Sequence, residues 1–134
     1  MAKLEDIEGI GPEYAAKLRS AGIDTTDELL KVGSTPKGRE GLATSSGITE
    51  KLILEWVNHA DLFRIKGIAS EYADLLEAAG VDTVPELAQR NAASLAEKLA
   101  SVNDQKKLVR QLPSDSMIAD WIKEAQGLPR VINY

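Results

Sequence analysis

Residues 7–30 read IEGIGPEYAAKLRSAGIDTTDELL, and residues 65–88 read IKGIASEYADLLEAAGVDTVPELA. At a constant offset of 58 residues, 13 of these 24 positions are identical. The identities include glycines near both ends of the stretch, which a chance similarity between two helices would not preserve. The sequence therefore predicts an internal duplication that produces two similar structural units.

The boundaries of the two units follow from a second pair of matching segments. Trp56 in LILEWVNHA and Trp121 in MIADWIKEA are equivalent if the second copy contains about seven extra residues. We therefore expect a first unit over residues 1–62, a second and diverged unit over residues 63–127, and a C-terminal tail over residues 128–134. At this length the two units are expected to pack as one compact domain.

Both copies contain signals for the start and end of helices. Pro12 suits the first turn of a helix, and Gly22 and Gly80 lie where a left-handed C-terminal cap is expected. Capping-box spacing recurs at Thr25/Glu28, Thr83/Glu86 and Ser94/Glu97. No segment alternates apolar and polar residues for long enough to predict a strand. The predicted fold class is therefore all-α.

The helix that contains Trp56 has a continuous apolar stripe. Its members recur at helical spacing and are Leu52, Ile53, Trp56, Val57, Ala60 and Phe63. This spacing predicts that Trp56, and by repetition Trp121, belongs to the core rather than to a contact surface.

Composition and charge limit the possible environments and ligands. The chain has no cysteine, so neither a disulfide nor a thiolate metal site can form. No stretch approaches the ~20 apolar residues that a membrane span requires, and the N-terminal residues MAKLEDIEGIG lack the apolar run of a signal peptide. A cytoplasmic protein without membrane contact is expected. The net charge of −5 disfavours a global nucleic-acid footprint.

One motif has a specific physical basis, and it reads Ile7-x-Gly9-Ile10-Gly11-x-x-x-Ala15-x-x-Leu18. Two glycines allow a tight turn with positive φ, and small and apolar residues then let the next helix pack closely. The arrangement resembles the helix-hairpin-helix motif of DNA polymerases, ligases and repair nucleases. In that family the turn and the N-terminus of the second helix bind a DNA phosphate without reading sequence.

We name residues 7–11 the first hairpin and residues 65–69 the second hairpin. The candidate binding residues are Gly9, Ile10, Gly11, Tyr14 and Lys17 at the first hairpin, and Gly67, Ile68 and Tyr72 at the second. The tyrosines could stack on a base, although packing against the neighbouring unit is the expected role.

Nearly the whole chain resembles an uncharacterised bacterial family of tandem helix-hairpin-helix proteins, the DUF4332 family. The pattern IEGIGPEYAAKLRSAGIDTTDELL carries this resemblance, together with the downstream tryptophan segments. It implies an all-α, SAM-like fold of two repeated helical units and a binding role in general. It implies no cofactor.

Several residues depart from the DNA-binding version of the motif. Glu13 and its counterpart Glu71 occupy a position where phosphate-binding hairpins often carry a basic residue, and Ala69 and Ser70 replace the glycine-proline pair in the second hairpin. A carboxylate is favourable at a helix N-terminus but competes with a phosphate there. Phosphate binding at the first hairpin and a purely structural corner both remain open.

Other candidate sites favour structural interpretations. The run Gly33-x-x-x-x-Gly38-Arg39-Glu40 lacks the Lys-Ser/Thr pair and the preceding strand of a phosphate-binding loop, so a flexible connection between helices is expected. His59 is the sole histidine and lacks the further ligands or nucleophile that metal binding or catalysis needs. We expect no catalytic residue and no metal site.

One local exception to the acidic average lies in the second unit. Its basic side chains are Lys98, Lys106, Lys107 and Arg110, opposed between them only by Asp104. A solvated helical face is the default explanation, and the cluster is also the best place for an acidic partner. The expected function is a non-catalytic binding or scaffolding module for a protein partner or for self-association. The alternative is weak, sequence-independent binding of the DNA backbone through the first hairpin.

Overall fold

The computed structural model describes residues 2–134 and is all-helical, which confirms the predicted fold class. A single 3-10 turn over Leu4–Asp6 precedes the helices α1 (Pro12–Ser20), α2 (Thr26–Val32), α3 (Pro36–Ser46), α4 (Glu50–Leu62), α5 (Ser70–Ala78), α6 (Val84–Ala88), α7 (Ala92–Lys106) and α8 (Asp115–Gly127). No strand forms within the described residues, and the one isolated bridge joins Lys3 to Thr25.

The chain divides into two compact units. The first contains the residues up to Asp61 together with Val131–Tyr134, and the second contains Leu62–Arg130. Helices α1 to α3 and nearly all of α4 therefore belong to the first unit, and α5 to α8 belong to the second. The last four residues of the chain group with the first unit rather than with the preceding α8.

The sequence repeat is a repeat of buried positions. Fully buried aliphatic side chains of the first unit, and their counterparts 58 residues later, are Leu4/Leu62, Ile7/Ile65, Leu18/Leu76 and Leu29/Leu87. Trp56 and Trp121 are buried as well, as their spacing predicts. Burial of apolar surface is the main favourable contribution to folding, so the conserved pairs are those that stabilise each unit.

The ends of α1 and α5 also match. Gly22 and Gly80 follow these helices, and both have φ of +91°. The next N–H in each copy, that of Ile23 or Val81, donates to a carbonyl five residues earlier, at 2.9 and 2.8 Å. This pattern satisfies carbonyls that a helix end leaves without partners, as the glycine positions predict.

The capping predictions are correct in one place and wrong in two. Thr25 and Glu28 form the expected box, in which the Glu28 N–H donates to Thr25 Oγ1 at 3.2 Å and the Thr25 N–H donates to the Glu28 carboxylate at 3.1 Å. Thr83 accepts no capping bond. Ser94 lies inside α7, which begins two residues earlier with Asn91 as its cap, because the Asn91 amide oxygen already accepts the Ser94 N–H.

The prediction of a flexible connection over residues 33–40 is wrong. Gly33 ends α2, and Gly38 already lies in α3. A methyl group on Gly33 would overlap the side chain of Val57, and one on Gly38 would overlap the carbonyl oxygen of Val32. These glycines are required for close packing between helices, and for Gly33 the neighbour, Val57, is distant in sequence.

Arg39 is a buried cation that links the C-terminal residues to the first unit. Its guanidinium donates to the carbonyl oxygens of Gly33 at 2.8 Å and Asn133 at 2.9 Å. The Asn133 N–H in turn donates to the Ser34 carbonyl at 2.7 Å, and the neighbouring Ile132 is buried. The last residues thus complete the packing around the α2–α3 corner.

Candidate functional site

Each hairpin turns at one glycine with positive φ. The φ values are +94° at Gly9 and +89° at Gly67, a region that other L-residues rarely adopt. The following residue directs its side chain into the core, and its N–H donates back within the turn. For Ile10 this bond to the Ile7 carbonyl measures 3.1 Å, and its counterpart at Ile68 measures 3.2 Å. The N–H groups of both isoleucines are therefore committed to the turn.

A tryptophan covers the glycine of each hairpin. A Cβ atom at Gly9 would lie 3.4 Å from Trp56 Nε1, and one at Gly67 would lie 3.3 Å from Trp121 Nε1. The glycines are thus needed both for their backbone conformation and for the close approach of an indole ring. The sequence singles out the glycine and the tryptophan of each unit separately, but it does not indicate that the two residues are in contact.

The candidate tyrosines pack against the same indoles. The ring centroids of Tyr14 and Trp56 are 5.0 Å apart in an edge-on arrangement, and those of Tyr72 and Trp121 are 5.3 Å apart. Edge-on and offset arrangements are the favourable ones for aromatic pairs. Each tyrosine therefore packs against the tryptophan of its own unit.

Gly11 does not have the positive φ that the motif suggests. It caps α1 with φ of −90° and ψ of −172°, and a Cβ there would meet no atom within 4 Å. Ala69 caps α5 at the equivalent position with φ of −109° and ψ of −171°. Because an alanine adopts the same conformation in the second copy, a side chain is compatible with this position.

The first hairpin exposes backbone donors at the start of α1. Among residues 2–134, no group accepts the N–H of Gly9 or Gly11, and α1 has no side-chain cap. Such donors at a helix N-terminus attract anions. However, the exposed carboxylate of Glu13 lies in the same first turn, and Lys17 places its Nζ 5.7 Å from the centroid of the Tyr14 ring.

A second cation near α1 is already paired. Arg19 donates to Asp24 Oδ1 at 3.0 Å and to the Glu5 carboxylate at 2.9 Å through each terminal nitrogen. The hydrogen bonds from Arg19 lower the pKa of Glu5 and raise the pKa of Arg19. Arg19 is therefore already engaged by two carboxylates.

The second hairpin differs in how its backbone donors are used. The Lys66 N–H, in the turn itself, donates to the carboxylate of Glu124 at 3.1 and 3.4 Å. Glu124 lies three residues after Trp121, and the residue at the same distance from Trp56 is His59, which is buried. The two copies thus share a fold but not the same polar groups around the turn.

A further candidate surface follows α7. We name residues 106–112 the basic loop. It starts where Lys107 ends the helix with φ of +54°, a left-handed conformation. The side-chain amide of Asn103 then holds the loop: its Nδ2 donates to the Val109 carbonyl at 3.1 Å, and its Oδ1 accepts the Val109 N–H at 2.9 Å. The Tyr72 hydroxyl donates to the Gln111 carbonyl at 3.4 Å.

The basic loop exposes apolar and cationic side chains together. Leu108 and Leu112 are 36% and 40% exposed. Lys106, Lys107 and Arg110 are also exposed, and none of them forms an ion pair within the described chain. The sequence shows that the cations are present, but it does not show that the leucines are exposed. Their exposure follows from the burial of Val109 between them.

The fourth residue of the predicted basic cluster lies apart. Lys98 precedes Lys106 by eight residues on α7, a separation of about 12 Å along the helix axis and a rotation of about 80°. The structure therefore groups three of the four predicted basic residues. Tyr72, a residue predicted for the second hairpin, bonds to Gln111 in the same loop.

The chain is an all-α protein of two helical units, each with a glycine turn that is covered by a tryptophan. It belongs to the family described as Domain of unknown function (DUF4332), whose model matches residues 8–128. No curated protein and no solved structure matches the chain. None of the helices within residues 2–134 is long and apolar enough to span a membrane.

Proposed function

We propose that this chain is a tandem helix-hairpin-helix module without catalytic activity, and that it binds another protein through the basic loop. The observation that carries the proposal is the combination of exposed leucines and unpaired cations on one loop. Asn103 holds this loop by bonding to the N–H and the carbonyl of Val109. A surface held in one conformation loses little entropy on binding, which favours affinity.

The tandem helix-hairpin-helix assignment is supported by the recurring glycine turns. Gly9 and Gly67 share a positive φ, and both are followed by a buried isoleucine and a helix capped in extended conformation. The first hairpin departs from the motif because only one 3-10 turn, Leu4–Asp6, precedes it in place of a full helix.

A protein ligand is favoured over a nucleic acid by the charges at the two hairpins. Glu13 and Glu71 occupy the first turns of α1 and α5, and Arg19 is already paired. A phosphate that approached either helix N-terminus would meet a carboxylate, and like charges repel. The non-catalytic assignment is supported by the sequence, in which His59 is the sole histidine and no cysteine offers a thiol nucleophile.

The test of this proposal is capture of interacting proteins by the immobilised chain and two variants. Leu108→Ser with Leu112→Ser removes the apolar part of the basic loop, whereas Val32→Ser removes a comparably exposed apolar side chain of α2. We expect a protein bound by the parent and by the Val32 variant to be lost with the double variant. Equal capture by all three would contradict the assignment of the basic loop.

Weak binding of the DNA backbone is the second candidate, and it is favoured by the N–H groups of Gly9 and Gly11, which have no acceptor in the described residues. It predicts sequence-independent affinity that falls with salt, with a slope of about −0.9 in log K per phosphate contact on duplex DNA. Glu13→Lys removes a competing carboxylate and adds a cation, so binding should tighten. Fluorescence anisotropy with labelled duplex at ~50 mM salt measures the affinity of the parent and of the Glu13→Lys variant. No signal with either protein would eliminate this candidate.

A further inference from the structure

We infer that the partner of the basic loop is an acidic polypeptide segment that carries apolar side chains among its carboxylates. This inference rests on the proposed function and specifies the chemistry of the ligand. It follows from which side chains of the loop face outward and from the charges that they carry.

The exposed side chains of the loop are two leucines, three cations and Gln111. Leu108 and Leu112 lie on either side of Arg110, while Val109 is buried and its backbone is held by Asn103. A partner that covers this surface therefore meets apolar and cationic side chains together. Apolar side chains on the partner are required because a leucine gains free energy only by leaving water.

The cations specify the other half of the ligand. Lys106, Lys107 and Arg110 have no carboxylate partner among the described residues. Carboxylates on the partner can pair with them, and complementary charge mainly accelerates association and selects the partner. A cationic segment would meet like charge and would be rejected.

The leucines also distinguish a polypeptide from duplex DNA. A duplex backbone offers phosphates to the cations, but its bases are stacked inside and present no apolar side chain to cover Leu108 and Leu112. Phosphate contacts alone would leave the apolar surface of these two leucines uncovered, so the leucines would contribute nothing to binding. An acidic and apolar peptide matches both parts of the surface.

The test uses three defined peptides of ~20 residues, each designed as one amphipathic helix. The first has leucines along one face with glutamates beside them, the second replaces the glutamates with lysines, and the third replaces the leucines with serines. Amide chemical shifts of the labelled full-length chain are followed up to ~1 mM peptide. We expect shifts at Leu108, Val109 and Leu112 with the first peptide, and at least ~10-fold weaker binding of the other two.

Charge variants supply the matched control. Lys107→Glu with Arg110→Glu should weaken binding of the glutamate peptide at least ~10-fold. Lys98→Glu, which lies on α7 outside the loop, should change this binding less than ~2-fold. Equal binding of the lysine peptide, or no shift in the loop with the glutamate peptide, would overturn the inference. Loop shifts produced by duplex DNA instead would also overturn it. The capture experiment tests the proposed function separately. Its variants change the leucines of the loop, so its outcome does not depend on whether the partner is acidic.

Discussion

At the scale of single residues, the two glycines of the first hairpin have different roles although the motif treats them alike. Gly9 has φ of +94° and lies beneath the Trp56 ring, whereas Gly11 is extended and faces open space. The second copy agrees, since it keeps Gly67 but has Ala69 at the other position. Gly9 is therefore required by the backbone conformation of the turn, whereas the space around Gly11 is open.

A matched pair of serine substitutions tests this division. We expect Gly9→Ser to lower the free energy of unfolding by about 1–3 kcal/mol, because serine pays a backbone penalty at this φ and contacts the indole. Gly11→Ser should leave it unchanged or raise it by up to ~1 kcal/mol, because serine is a good helix N-cap. Denaturant unfolding followed by circular dichroism measures both. An equal loss in the two variants would show that Gly11 is also conformationally required.

The indole that covers each hairpin supplies a second prediction. Trp56 is 2% exposed and Trp121 is 3% exposed, and each packs against a tyrosine. Replacing either one by alanine should cost about 3–5 kcal/mol in the unfolding of its own unit. Thermal melts of the two variants check this expectation. A melting transition that Trp56→Ala leaves unchanged would contradict the burial of this ring.

At the scale of secondary-structure elements, the C-terminal residues are part of the first unit. Ile132 is buried, and Asn133 bonds to Ser34 and to the buried Arg39. From sequence these residues look like a tail beyond α8. Their role was not predictable because the contacts join positions more than 90 residues apart, and no local pattern encodes such a pairing.

Deletion of Val131–Tyr134 measures the contribution of these residues. The loss of Ile132 from the core and of one acceptor of Arg39 should lower the free energy of unfolding by about 2–4 kcal/mol. Tyr134→Ala is the matched control, and since this residue is 59% exposed we expect a loss below ~1 kcal/mol. A deletion variant as stable as the parent would show that these four residues contribute nothing to the stability of the first unit.

At the scale of the whole molecule, the fold was predictable because repetition and helical spacing are local signals. The 58-residue offset predicts which aliphatic side chains are buried in both copies, and Trp56 and Trp121 follow from their stripes. The candidate surface was predictable only in part. The cations of the basic loop are evident in sequence, but its exposed leucines depend on the bonds from Asn103 to Val109, which no charge pattern reveals.

We propose that the basic loop, and not the first hairpin, contacts the ligand. Site-specific photo-crosslinking tests this proposal most directly. A photoreactive amino acid is placed at Leu108 in one variant and at Gly11 in another, where a side chain has open space. Both proteins are irradiated in an extract of the cells that encode the chain. We expect a protein adduct from position 108 and no adduct from position 11. A nucleic-acid adduct from position 11, with none from position 108, would contradict the proposal.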